Sequence, residues 1–342
     1  MSAPGKPQEE LSPRSLMRIL GDFANSQILD ASIEYDFFTL IHNGLHTADE
    51  IARQAETEPR ATRIVLDSLL ALALIEKRDG RYYLPAVSET FLVRGKPAYI
   101  GDFRHVALAL WDGMAQLKQS LKTGKPPSRM DTGGELQVWE KLVIGIIPIA
   151  EPAAKALCDI LRIGVDRKGL RVLDIAGGSS IFGMTLLARD PSAQVTQLDW
   201  PNVNAVAKKL NRERGLEGKI RFVDGAHYSA AIETNHYDLV LASNFCRFES
   251  PTGNQELFRK AYDALKPGGK FVVNDFLPNE ERTGPTFALR FSVYTLTHTP
   301  EGECWTLSQY SDWLKAVGFT AIEAHGDIPK TLPGTTLIVA GK

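Results

Sequence analysis

Two aspartates and a turn of small residues are the groups whose spacing points to chemistry. The short apolar run Val172-Leu173 leads to Asp174, and Ala176-Gly177-Gly178-Ser179-Ser180 follows it. Residues 181–187, IFGMTLL, then read as an apolar helix. Strand, glycine turn and helix in that order open an α/β nucleotide-binding sheet, whose ligand lies across the C-terminal strand ends. Glycine lets the backbone approach a ligand closely, and a helix start offers unpaired N–H groups. About 25 residues on, 195–198 reads as a second strand ending in Asp199. Such folds place an acid there to accept both ribose hydroxyls.

A pyrophosphate binder shows G-x-G-x-x-G, whereas here the two glycines are adjacent. The acid Asp174 at the strand end also opposes a pyrophosphate and suits a ligand with an amine. S-adenosylmethionine has an α-amino group, a sulfonium and a ribose, and no phosphate, so it fits.

The 342 residues, 44% of them hydrophobic, suit two domains with sizeable cores. A formal net charge of -2 leaves no electrostatic footprint for nucleic acid or an anionic membrane. The N-terminal MSAPGKPQEELSP is polar and proline-rich, unlike a signal peptide, and no run approaches a membrane span. Cys158, Cys246 and Cys304 lie far apart without metal-ligand spacing. The expectation is a soluble cytoplasmic protein with no metal.

Residues 1–13 read as a disordered tail. Residues 14–98 read as a winged-helix-like domain. Its first stretch, 15–40, is a helix pair with more apolar surface than one domain can bury, as if shared with a second subunit. Thr47-Ala48-Asp49-Glu50 is a capping box. A helix over 59–74 precedes a hairpin wing turning at Asp79-Gly80. The would-be DNA-reading helix carries Arg60 and Arg63 beside Glu58 and Asp67. Phosphate contacts need more basic side chains than that, so dimerisation is the better reading. Residues 99–168 form a helical connecting and substrate-pocket region, broken by a loop over 123–134. Phe103, His105, Trp111 and Trp139, with 142–149, offer walls for a flat substrate or belong to a core. Residues 169–342 alternate strand and helix in the doubly wound manner. Strands are expected at 220–223, 237–242 and 270–273, with Asn274-Asp275 at the rim. Two late strands, 321–324 and 335–340, close the sheet as an antiparallel hairpin.

Taken together the chain resembles class I S-adenosylmethionine-dependent methyltransferases, and more narrowly the dimeric small-molecule O-methyltransferases of plant phenolic, hydroxyindole and bacterial natural-product type. VLDIAGGSSIFG, QLDWPNV, YDLVLASNF, ALKPGGKFVVNDFLPNEER and TPEGECWT carry the resemblance, in that order. It implies a Rossmann-like, mostly parallel sheet preceded by a mainly helical dimerisation domain, and a homodimer taking a small-molecule acceptor. It places the cofactor against Asp174, Gly177, Gly178 and Ser179. Asp199 would hold its ribose, Trp200 would sit by the adenine, and Asn244 would reach its polar tail, with Phe245 also against the cofactor. The segment Asp224-Gly225-Ala226-His227 completes that set. Phe248, Phe291, Tyr294 and His298 fall where the family lines its acceptor pocket.

The sequence also departs from the pattern. Ala176 and Ser180 stand where glycine is common, and Ala226 stands in place of an adenine-binding acid. Aligned without gaps, SNFCRFESP puts Phe248 at the catalytic histidine and Arg247 just before it. Arginine stays protonated and cannot be a base, though it can hold a carboxylate or stabilise a phenolate. Asp275 is the first candidate to take the proton in the histidine's place, with His105, His227 and His298 behind it. O-methylation of a small hydroxylated aromatic or polyketide-like metabolite is therefore the leading expectation. C- or N-methylation, a non-methylating use of the same cofactor, and a winged-helix regulator remain as alternatives.

Overall fold

The glycine turn must be carried on a buried strand, and the sequence around it supplies one. In the computed structural model, which describes residues 11–127 and 137–342, the chain divides into two compact units, 1–104 and 105–342. The reading of 1–13 as a tail falls largely outside the described residues, as does most of the 123–134 loop.

The first unit is helical. Helices Pro13–Gly21, Phe23–Glu34 and Phe37–His42 replace the expected pair, because the chain breaks at Asp22 and again at Asp36, which has φ 56°. Ile33, Phe37, Phe38 and Ile41 enter the core of this unit, while Leu16, Met17, Ile19, Leu20 and Phe23 stay exposed. The capping box forms as read: the Glu50 N–H donates to Thr47 Oγ1 at 3.3 Å, and the Thr47 N–H donates to Glu50 Oε2 at 2.9 Å. Strands β1 (Glu76–Arg78) and β2 (Arg81–Tyr83) pair antiparallel, with Asp79 and Gly80 both at positive φ. That conformation matches the right-handed twist of a tight hairpin.

The second unit holds a seven-stranded sheet. Its strands are β3 (Arg171–Ile175), β4 (Gln194–Asp199), β5 (Ile220–Asp224), β6 (Tyr237–Ser243), β7 (Leu265–Phe276), β8 (Thr320–His325) and β9 (Thr335–Gly341). Their order is β5-β4-β3-β6-β7-β9-β8. Strands β3 to β7 are parallel, and β9 runs antiparallel between β7 and β8. The closing hairpin thus inserts its second strand, leaving the mostly exposed and bulged β8 as the edge. Strand order reverses around β3, so the loops after β3, β4, β5 and β6 gather at one end, where open α/β sheets bind ligands.

Side chains alternate between two cores, as a sheet covered on both faces requires. Val172, Leu239, Leu241 and Val272 pack against helices Ile147–Ile160 and Ile181–Arg189. Leu173, Val240, Phe271 and Val273 pack against helices Pro251–Ala264 and Leu307–Val317. Asn274 and Asp275 are not at the rim. Both are buried inside β7, opposite Leu337 and Thr336 of β9. No helix among the described residues is long and apolar enough to cross a membrane.

Phe258 is fully buried, its ring 5.3 Å from Phe271 and 6.2 Å from Tyr310. Truncation of such a ring leaves a cavity, so Phe258→Ala should lower unfolding free energy by about 3–5 kcal/mol. Urea titration measures this, and a loss under about 1 kcal/mol would contradict the packing described.

Candidate active site

The tips of β3, β4, β5 and β6 enclose a cleft of about 780 Å³. Gly177, Gly178 and Ser179 form its floor after β3. Asp199 and Trp200 follow β4, Gly225, Ala226 and His227 follow β5, and Asn244, Phe245 and Phe248 follow β6. Leu142, Val143 and Ile146 close the other side with Trp139, from helices Gln137–Gly145 and Ile147–Ile160 and the link between them. No lysine or arginine lines the cleft among the described residues.

Asp199 is the polar centre. Its Oδ2 accepts the Gly178 N–H at 2.8 Å and its Oδ1 accepts the Trp200 N–H at 2.7 Å. Burial pushes its carboxyl up to about 6, although both N–H groups pull the other way. Asp174 lies beneath the turn, 1% exposed, with neither carboxylate oxygen bonded. Burial, and then the charge of Asp199, pushes it up to about 8. Ala176 and Ser180 hold φ 54° and 68°, so the backbone keeps a left-handed shape that glycine adopts more easily.

Two residues that the sequence reading missed hold these tips together. Asn204 is fully buried in helix Pro201–Glu213. Its Nδ2 donates to the carbonyls of Asp199 (3.0 Å) and Val223 (2.9 Å) and to Asp224 Oδ1 (2.7 Å). Its Oδ1 accepts from Gln197 Nε2 at 3.1 Å, and the same Nε2 donates to the Gly178 carbonyl at 3.0 Å. A Cβ on Gly177 would come within 2.7 Å of Gln197 Oε1, so the turn can rest on this amide only as glycine. The available signal was a polar residue, Gln197, inside an otherwise buried strand.

Several expected site residues lie elsewhere. Asp224 is exposed and tied to Asn204, outside the cleft lining. Phe103 is half-buried in the first unit, on the turn Gly101–Phe103. Trp111 is 38% exposed and His105 half-buried on the helix Arg104–Ala115, and neither lines the cleft. Phe291 and Tyr294 pack in a cluster with Phe276, Phe287 and Phe248, next to the cleft rather than in it. His298 is 2% exposed; its Nδ1 lies 2.9 Å from the Tyr294 carbonyl and its ring fills the space over Gly113.

The expected replacement base is also corrected. Asp275 is fully buried, and its Oδ1 accepts from Arg247 Nη1 at 2.5 Å and the Phe276 N–H at 2.8 Å. Its Oδ2 accepts the Tyr310 hydroxyl at 2.9 Å and the Arg247 N–H at 3.0 Å. Four donors occupy the carboxylate, which leaves no lone pair facing the cleft for a substrate proton. Arg247, 3% exposed, is held by this pair and so is not open to grip a substrate carboxylate. Its guanidinium carbon lies 4.9, 4.6 and 4.5 Å from the ring centroids of Phe248, Phe276 and Phe291.

A family model of the O-methyltransferase domain matches residues 160–320, and one of the O-methyltransferase dimerisation domain matches 17–94. Together they span more than two thirds of the chain. The chain is 27% identical to a 3-hydroxy-5-methyl-1-naphthoate 3-O-methyltransferase of Streptomyces sahachiroi, over 99% of this chain and 98% of that one. It is 26% identical to an L-tyrosine C(3)-methyltransferase of Streptomyces lavendulae, over 90% of this chain and 87% of the other. The solved structure of a candidate O-methyltransferase from Nostoc punctiforme matches with a TM-score of 0.88 at 27% identity, covering 98% of this chain and 100% of that one.

Asp174 yields a test on the ligand-free protein. Its carboxyl titrates near 3.8 unfolded and about 8 folded, so between those values the folded state holds a proton that the unfolded state has lost. Its contribution to stability therefore falls as pH rises from about 4 to about 8 and is level above that. Asp174→Asn should remove this slope, gaining stability over wild type at pH 8 relative to pH 5 in urea titrations. Parallel pH profiles of the two proteins would remove the buried, unpaired carboxyl from the account.

Proposed function

The chain belongs to the S-adenosylmethionine-dependent O-methyltransferase family, and we propose that its acceptor is a small hydroxylated aromatic or polyketide-like metabolite. The observation that carries the reading is the polar make-up of the cleft: the half-buried acid Asp199 at the tip of β4, Asp174 buried beneath the glycine turn, and no cation among the lining residues described. That set suits a cationic nucleoside without phosphate. Gly177 and Gly178 would lie along its amino-acid part, Asp199 would accept from its ribose hydroxyls, and Trp200, Ala226, His227 and Phe245 would enclose its adenine. Asn244 would reach its polar tail. When bound, the cofactor supplies an electrophilic methyl group.

The protein's own part is to bind, orient and exclude water. Trp139 stands edge-on to Trp200 (6.0 Å) and to Phe248 (5.6 Å), and Phe248 meets Phe291 at 6.2 Å. This aromatic run supports a flat acceptor held next to the cofactor, where positioning alone supplies much of a rate. The relative of Streptomyces sahachiroi is named for a hydroxylated naphthoate, in keeping with such an acceptor. The exposed Met17, Ile19 and Leu20 of helix Pro13–Gly21 lie within the matched dimerisation domain and support a homodimer built through the first unit.

If Asp199 accepts from the ribose, Asp199→Asn should weaken S-adenosylmethionine binding by roughly 1.5–3 kcal/mol, the scale of a hydrogen bond to a charged group. Isothermal titration calorimetry at pH 7.5 reads this directly. Wild-type affinity in the variant would take the ribose away from Asp199.

A further inference from the structure

We infer that the acceptor binds as an oxyanion, the ionised hydroxyl of a planar arene or enol acidic enough to lose its proton to solvent before it enters the pocket. The inference rests on the methyltransferase reading and narrows its substrate class. An ordinary phenol, with a pKa of about 10, is almost wholly protonated at neutral pH and needs a base to react well.

Around the cleft and behind Phe248, each ionisable group described is committed to another task, apart from Asp174, which lies beneath the glycine turn outside the cleft lining and is largely protonated at neutral pH. Both oxygens of Asp199 accept backbone N–H groups. Glu140 accepts from Asn202 Nδ2 at 3.3 Å. His227 meets Phe245 edge-on at 4.8 Å, with its Nε2 3.5 Å from Glu249. Burial, and then the charge of Lys260, lowers His227 to about 4, which makes it a poor proton acceptor. Lys260 itself donates to the His227 carbonyl at 2.9 Å. Asp275 is saturated as described. Tyr310 donates to it and is pushed well above the usual phenol range by burial. Burial likewise raises the thiols of Cys246 and Cys304. His298 is bonded to the backbone, and His105 has its own partner.

Hydrogen-bond donors, by contrast, are left over. Ser243 Oγ is buried without a partner and lines the cleft beside Asn244. Asn244 turns its Oδ1 toward Arg247 Nη1 at 3.4 Å, which leaves its amide N–H groups to donate. Arg247 sets its cationic plane behind the rings of Phe248 and Phe291, which lead from the cleft into the aromatic cluster. Unpaired donors in apolar walls hold an anion far better than a neutral hydroxyl. The cofactor's own positive charge acts in the same direction.

The test uses the whole protein saturated with S-adenosylhomocysteine and 4-nitro-1-naphthol, a planar hydroxyarene whose anion alone absorbs in the visible. Titration from pH 4.5 to 7.5 should show the bound probe ionising at least one pH unit below the free probe. At pH 7, 1-naphthol, which is neutral there, should bind at least tenfold more weakly. Ser243→Ala, kept saturated with S-adenosylhomocysteine, should move the bound probe's ionisation back toward its free value. A bound probe showing the neutral spectrum, equal affinity for the two naphthols, or no probe binding to the saturated protein would each overturn the proposal. Failure to bind S-adenosylhomocysteine at all would instead overturn the methyltransferase reading on which it rests.

Discussion

The buried amides of Gln197 and Asn204 hold the active end of this protein in shape. Three parallel strands deliver their tips to one place, where the ladder gives way to turns whose buried polar groups need partners beyond backbone bonds such as that of the Gly225 N–H to the Asp199 carbonyl at 3.0 Å. Unpaired buried groups of that kind cost about 1–3 kcal/mol each. Asn204 answers the carbonyls after β4 and at the end of β5, and Gln197 answers the carbonyl of Gly178 after β3. The same network sets Gly178 and Trp200 so that their N–H groups fix the carboxylate of Asp199. Floor, acid and aromatic lid of the cleft thus share one hydrogen-bonded frame.

A second buried polar unit, Arg247 with Asp275 and Tyr310, lies behind the first. Removing one partner of such a pair strands the other charge in an apolar core, at a cost of about 3–5 kcal/mol. This pair occupies the position where the family resemblance leads one to look for acid–base chemistry, and its geometry is structural. The carboxylate is surrounded by donors, and the guanidinium is boxed by three phenylalanines. What reaches the pocket from it is an aromatic surface, without a movable proton.

The fold was legible where local chemistry repeats. Short apolar runs in 171–175 and 237–242, the turn Asp79-Gly80, and the capping box at Thr47 each gave an element of the right kind. The glycine turn and Asp199 were legible because the α/β sheet puts its ligand at strand ends, and they do line one cleft. Asp275 was misread because a strand's length is set by its partner. Antiparallel β9 extends β7 through Phe276 and buries what the sequence alone left at a rim. Gln197 and Asn204 escaped notice because an amide's role depends on which backbone groups lie opposite it, a long-range fact that no local pattern records. Trp111 shows the converse: a large aromatic at a plausible spacing, yet it is 38% exposed and outside the cleft lining.

The frame built on Asn204 is the claim on which the others stand, and cofactor calorimetry on Asn204→Leu, paired with its thermal melt, tests it most directly. The account predicts that wild type binds S-adenosylmethionine and S-adenosylhomocysteine, and that the variant, still folded at the assay temperature, binds both at least tenfold more weakly. A folded variant that keeps wild-type affinity for both would show that the strand tips hold their cleft without the amide network.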